Sequence, residues 1–161
     1  MLPLNDFEQL IRNGVLIAID LICYNPEGKV LLGLRKNAPA KGFWFVPGGR
    51  VHKNETLNNA FQRITQHELH MSLDLSKTKL KGLYDHIYEE NFLGKPDFNT
   101  HYVIIAVEYH GIDNSLLSAK NAQNEDFKFL KPEEILVDPM VHTLSKSYFQ
   151  AQPNNHFDIV Y

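Results

Sequence analysis

Cysteine is almost missing from this chain: Cys23 stands alone among 161 residues, so no disulfide framework can form within it. Lying inside the apolar run "GVLIAIDLICY", it reads as a buried thiol. Long hydrophobic runs are missing as well. None approaches the ~18 residues that a membrane span requires, and the opening "MLPLNDFEQLIRNG" lacks the basic-then-apolar order of a secretory leader. There is little excess charge of either sign. A net charge of −3 carries no electrostatic footprint for nucleic acid, although local basic residues can still draw a small anion. No HxH or Cys/His spacing points to zinc. Low-complexity linkers and internal repeats are absent. The expectation is a cytoplasmic protein that engages neither membrane nor nucleic acid.

What is present suits a globular fold. A hydrophobic share of 43% and a charged share of 22% are ordinary for such chains, and the length fits one domain, 1–161, with a sizeable core. "LNDFEQLIRNG" predicts a short helix, capped at its start by Asn5 or Asp6 and ended by Gly14. Residues 15–24 form an apolar strand, "NPEG" a turn, and "KVLLGLRK" the next strand. A short strand "WFVP" leads through Gly48 and Gly49, read as loop glycines, into a helix over roughly 56–70. "KLKGLYDHIYEENF" and "THYVIIAVEYHG" are strands around the polar turn "LGKPDFN". "DFKFLK" is another, and "PEEILVD" and "PMVHTLSKSYFQA" have helical spacing. The fold class is α/β, a mixed β-sheet between helices.

One helix carries a misplaced acid. Leu57, Ala60, Phe61, Ile64 and Met71 define an apolar stripe. Glu68, eleven residues after Leu57, returns to within about 20° of the same direction. It also sits near the helix C-terminus, where the macrodipole disfavours an anion. A carboxylate there needs a positive partner. That partner is an arginine, Arg63 or Arg50, or a bound cation; otherwise the stripe turns toward solvent at its end.

The spacing around this helix resembles the Nudix box. "GxWxxPGG" from Gly42 to Gly49 is followed by Glu55, Arg63 and Glu68 at the expected intervals. The resemblance implies a Nudix α/β/α sandwich over nearly the whole chain, with Mg²⁺ or Mn²⁺ and substrates that are nucleoside diphosphates linked to another group. The box departs from its usual form: Ile64 and His67 stand where acids are expected, and His70 stands at a glycine. The surviving carboxylate suits one Mg²⁺ per site rather than several.

This pattern of losses is similar to the GDP-mannose mannosyl hydrolase branch. "LRKNAPAKGFWFVPGGRVHKNETL", "DHIYEENF", "FNTHYVI" and "SKSYF" all match it in order. The resemblance implies attack of water at sugar C1, with Asp20 at the sugar and Arg35 and Arg50 at the departing diphosphate. It places His86 and Tyr102 near the leaving group, with Tyr88 two residues from His86 on the same strand face. Arg63 either binds substrate or pairs with Glu55, and Phe7 either stacks on guanine or packs into the core. Asp20 has its own alternative, a strand-end acid facing solvent. The metal would be held by the Gly48 carbonyl, Glu68 and Gln123, and neighbouring chains would pair as a homodimer. His52 and His67 flank this site, whereas His110, His142 and His156 read as ordinary surface or core positions.

One match fails. The family places a histidine base after the glutamine, and this chain has Asn124. An amide cannot take a proton from water at neutral pH, whereas Glu125 beside it can. Three functions stay open: hydrolysis of GDP-mannose or GDP-glucose at carbon, a pyrophosphatase releasing GMP and sugar 1-phosphate, and a GDP-sugar-binding protein without turnover.

Overall fold

A computed structural model describes residues 2–115 and 124–151, the side chains of Asn124 and Glu125 excepted. Helix α1 (Leu4–Asn13) is followed by strands β1 (Leu16–Tyr24), β2 (Val30–Arg35), β3 (Trp44–Phe45) and β4 (Gly48–Arg50), then helix α2 (Leu57–Leu69). Strands β5 (Lys79–Tyr88), β6 (Thr100–His110) and β7 (Asn124–Leu130) precede two short helices, α3 (Pro132–Val137) and α4 (Thr143–Lys146). The strands form one mixed sheet of order β3-β2-β1-β6-β5, with β4 added to β1 and β7 to β2. Among the described strands only β1 and β6 run parallel, so the expected mixed sheet between helices is what the chain adopts.

Alternation along β1 sets the two faces of this sheet. Ile19, Leu21 and Cys23 point to the side where α2 lays down Phe61, Ile64 and Leu69. Ala18 and Ile22 point the other way, into a cluster with Val30, Leu32, Ile104, Ile135, Val141 and Tyr148. Each fully buried side chain of this kind contributes about 1.5–3 kcal/mol of hydrophobic stabilisation. Cys23 is buried as expected, and desolvation pushes its thiol pKa up to about 12.

Several local expectations are corrected. Neither Asn5 nor Asp6 caps α1; its N-cap is Pro3, which makes no side-chain hydrogen bond, because the helix begins at Leu4, ahead of both candidates. The paired glycines lie in β4, hydrogen-bonded to β1, and not in a loop. Leu57 is 48% exposed, because burial of α2 starts one turn later at Ala60. The last segment is helical only over Thr143–Lys146; before it, Trp44 N–H donates to Met140 O and His142 N–H to Trp44 O, tying the chain to β3 in extended form.

Helix α1 is fastened to the turn between β5 and β6. Arg12 bridges Asp97 at 2.7 Å, Lys95 bridges Glu8 at 2.6 Å, and Phe7 packs on Phe92. Exposed ion pairs of this sort contribute little singly, but together with the ring contacts they set α1 beside β4. No helix among the described residues is long and apolar enough to cross a membrane.

Candidate active site

β1 keeps β6 along one side and changes partner on the other. It pairs with β4 at Ala18, Ile19 and Asp20, and with β2 at Tyr24. Where the partner changes, a cleft opens, lined by Asp20 of β1, Arg35 of β2, Gly48 and Arg50 of β4, Tyr88 of β5 and Tyr102 of β6. Residues scattered over 83 positions of sequence (20 to 102) thus meet because five strands converge here.

The two glycines serve opposite faces. A Cβ on Gly48 would overlap Asp20 Oδ1 and lie 2.8 Å from the Ile19 carbonyl oxygen. A Cβ on Gly49 would lie 3.0 Å from Ile64 Cγ1. Space demands glycine at Gly48 and favours it at Gly49, in extended backbone that any residue adopts. The register explains the first contact. Leu21 N–H donates to Pro47 O and Val51 N–H to Ile17 O, so by alternation Asp20 and Gly48 form the close, non-hydrogen-bonded kind of pair. The amide and carbonyl of Gly48 therefore turn away from β1, free of that ladder.

Asp20 is not a solvent-facing acid. It is 8% exposed, and its Oδ2 accepts a 2.6 Å hydrogen bond from the Tyr148 hydroxyl. Burial pushes its pKa up to about 6; the tyrosine bond and Arg35 oppose that rise, and the charge of Glu68 adds to it. His86 Nε2 lies 3.1 Å from the same hydroxyl. Desolvation, aided by nearby His142, lowers the His86 pKa to about 4, so the ring is neutral at pH 7. Tyr148 was not among the residues singled out from sequence. Its only signal was the "SKSYF" match near the end of the chain, which carried no role. His142, read as an ordinary position, stacks on Phe45 and borders Tyr88.

The arginines divide into two kinds. Arg35 stands 5.4 Å from the Phe45 ring, and its Nε is buried with no hydrogen-bond partner. A buried guanidinium N–H without a partner is suited to receive an anion from outside. Arg50 lies 3.9 Å over the Phe7 ring, and burial lowers its pKa, with Arg63 adding repulsion. Phe7 is neither a core residue nor an open stacking face: it is half-buried, and Arg50 and Phe92 both contact its ring. Arg63 takes the structural alternative. Its Nε and Nη2 donate to Glu55 and Nη2 also to the Arg50 carbonyl, all at 2.7 Å. The Arg63 hydrogen bonds hold the Glu55 pKa down to about 2.

Glu68 is 2% exposed on the last turn of α2, and its Oε1 lies 3.2 Å from His67 Nδ1. The helix ends in His70 at φ 54°, the left-handed conformation in which glycine is favoured. Ile64 is buried against Gly49, so the position that would add a second acid is apolar. Among the described residues no three His, Cys, Asp or Glu side chains cluster to hold a metal. The donor set left around β4 is hard oxygen: the Glu68 carboxylate and the outward Gly48 carbonyl, with the Asp20 charge in range. That set fits one Mg²⁺-like cation that keeps water and substrate oxygens.

Gln123 and His156 lie outside the described residues. The backbone of Asn124 opens β7 and pairs with Arg35 of β2, after a register shift from Gly33. His52 contributes its backbone N–H to Glu55 Oε2.

Comparison with known proteins agrees with this architecture. A family profile described as "NUDIX domain" matches residues 15–151. The chain is 36% identical over 131 residues to the low-salt glycan biosynthesis protein Agl8 of Haloferax volcanii, covering 81% of this chain and 80% of that one. In structure it is similar to a MutT protein from Methanosarcina mazei (TM-score 0.66, 16% identity, 84% of this chain and 90% of that one). A MutT Nudix hydrolase from Burkholderia pseudomallei is similar to the same degree (TM-score 0.66, 20% identity, 85% and 97%).

Proposed function

Because this chain belongs to the Nudix hydrolase family, whose members generally use divalent metals, we propose that it hydrolyses a GDP-sugar, GDP-mannose or GDP-glucose, by attack of water at sugar C1. The C1–oxygen bond to the diphosphate breaks, GDP leaves with the electron pair, and the water oxygen stays on the sugar. One observation carries this reading: Asp20, Arg35 and Arg50 share a single cleft, while α2, packed on β4 through Ile64, carries one buried carboxylate, Glu68, because its position 64 is an isoleucine.

Attack at carbon leaves positive character on the sugar ring and negative charge on the diphosphate. Asp20, an acceptor held in place on β1 by Tyr148, would face the ring. Arg35 and Arg50 neutralise the departing charge with forked N–H donors. Tyr102 and Tyr88, both raised in pKa by burial, offer protonated hydroxyls beside them. Neutral His86 acts from behind, through Tyr148. A Mg²⁺ or Mn²⁺ held by Gly48, Glu68 and Gln123 would supply further neutralisation of the diphosphate. The similarity to a glycan biosynthesis protein supports a sugar-bearing substrate. The guanine preference and a homodimeric assembly are part of the same proposal and rest on the resemblance to the mannosyl hydrolase branch.

The test is incubation with GDP-mannose and Mg²⁺ in ¹⁸O-labelled water. Label in the free sugar with release of GDP is expected. GMP with sugar 1-phosphate would replace this reading with a pyrophosphatase, and binding without product would replace it with a GDP-sugar-binding protein. The base is assigned to Glu125, because Asn124 cannot accept the proton. Glu125→Gln is expected to lower kcat at least about tenfold more than Asn124→Ala, since general-base catalysis is worth roughly 10²–10⁴-fold. Equal, small losses in steady-state kinetics would remove Glu125 from the role.

A further inference from the structure

We propose that Tyr148 is a positioning residue for Asp20: it holds Oδ2, so that Oδ1, over Gly48, is the oxygen presented to the cleft. This rests on the role given to Asp20 above. The two carboxylate oxygens are not equivalent. Oδ2 accepts from Tyr148 at 2.6 Å, whereas Oδ1 lies against Gly48, where no side chain can intrude. The Tyr148 ring is itself immobilised. It is 1% exposed, edge-on to Tyr84 at 4.7 Å and tilted against His86 at 5.5 Å.

Proton bookkeeping orders the chain of bonds. A tyrosine hydroxyl has one proton, and a carboxylate can only accept, so Tyr148 gives its proton to Asp20. His86 must then donate from Nε2–H to the Tyr148 oxygen at 3.1 Å. The opposite ring nitrogen, Nδ1, is buried without a hydrogen-bond partner in either tautomer. The choice of tautomer therefore falls to the Nε2 side, and hence to Asp20 acting through Tyr148. Three residues from β1, β5 and the segment after α4 thus form one directed chain, His86 to Tyr148 to Asp20.

Long-range ¹H–¹⁵N spectra of the whole protein read this directly. In the wild type His86 is expected to carry its proton on Nε2, with Nδ1 bare. In Asp20→Leu the hydroxyl loses its acceptor and turns to Nε2, moving the imidazole proton to Nδ1. A wild-type ring protonated on Nδ1, or an Asp20→Leu ring that keeps its proton on Nε2, would overturn the proposal. In kinetics, Tyr148→Phe keeps the ring and removes the bond. A folded variant is expected to lose about tenfold or more in kcat with KM held within about twofold, the scale of one hydrogen bond to a charged group. An unchanged kcat would also overturn it. The spectra need no substrate, so absence of nucleotide-sugar hydrolysis would defeat the assigned function while the tautomer still decides the positioning role.

Discussion

Gly48→Ala is expected to lose about 100-fold or more in kcat/KM, while Gly49→Ala, one residue on, keeps most of the activity and loses stability instead. Both glycines have ordinary extended backbone, so the difference is one of neighbours. At Gly48 the new methyl would meet the Asp20 carboxylate and the Ile19 carbonyl oxygen, 2.8 Å away. The carbonyl belongs to β1 and cannot yield, so either the carboxylate swings off Tyr148 or β4 shifts away from β1. Either response misplaces Asp20 relative to Arg35 and Arg50, and an error of about 1 Å in such a group costs on the order of 100-fold. At Gly49 the methyl meets Ile64 Cγ1 at 3.0 Å. A side chain can adjust there, at the overpacking cost of about 1–3 kcal/mol. Steady-state kinetics and thermal melts of the two variants separate these outcomes. Similar activity losses in both would show that the pair matters as a unit and not through contact with Asp20.

This contrast also shows what the sequence could and could not reveal. The strands were legible because Val, Ile, Leu and Tyr dominate them, and α2 because its apolar spacing is regular. The glycines were read as loop residues, whereas they lie in β4, and the need for room there comes from Asp20 and Ile64, residues 28 positions before Gly48 and 15 after Gly49. Glu68 could be placed inside the fold from the helical period alone. Arg63 could not be assigned, since its two candidate partners differ only in which way the guanidinium turns, and it turns to Glu55. Tyr148 was out of reach for a different reason. It follows a helix of four residues in a segment whose helical spacing says nothing of a hydroxyl's partner, and that hydroxyl matters only because β1 and β5 bring Asp20 and His86 to it. Leu57 failed in the opposite sense: its period was right, but the helix starts before the sheet lies beneath it.

Glu68→Gln is expected to lower metal-supported kcat/KM by roughly 10²–10³-fold while leaving the metal-free protein as stable as before, or more so. The substitution is isosteric and removes a charge that is 2% exposed at the disfavoured end of a helix. Replacing a buried charge by a neutral group of the same shape removes a desolvation cost. It also removes the Glu68 charge that contributes to raising the Asp20 pKa. Under the proposed function, a cation bound by Glu68 would offset that cost. Stability linkage tests that without any substrate: at Mg²⁺ concentrations about 100 times Kd, the wild type gains about 2.7 kcal/mol, and Glu68→Gln gains none. If both proteins respond equally to Mg²⁺ in thermal melts, Glu68 is not a ligand, and its pairing with His67 becomes the reason for its place. If Mg²⁺ stabilises the wild type alone, the single carboxylate of α2 is the metal anchor. The chemistry at the sugar then falls to the Asp20 side of β4.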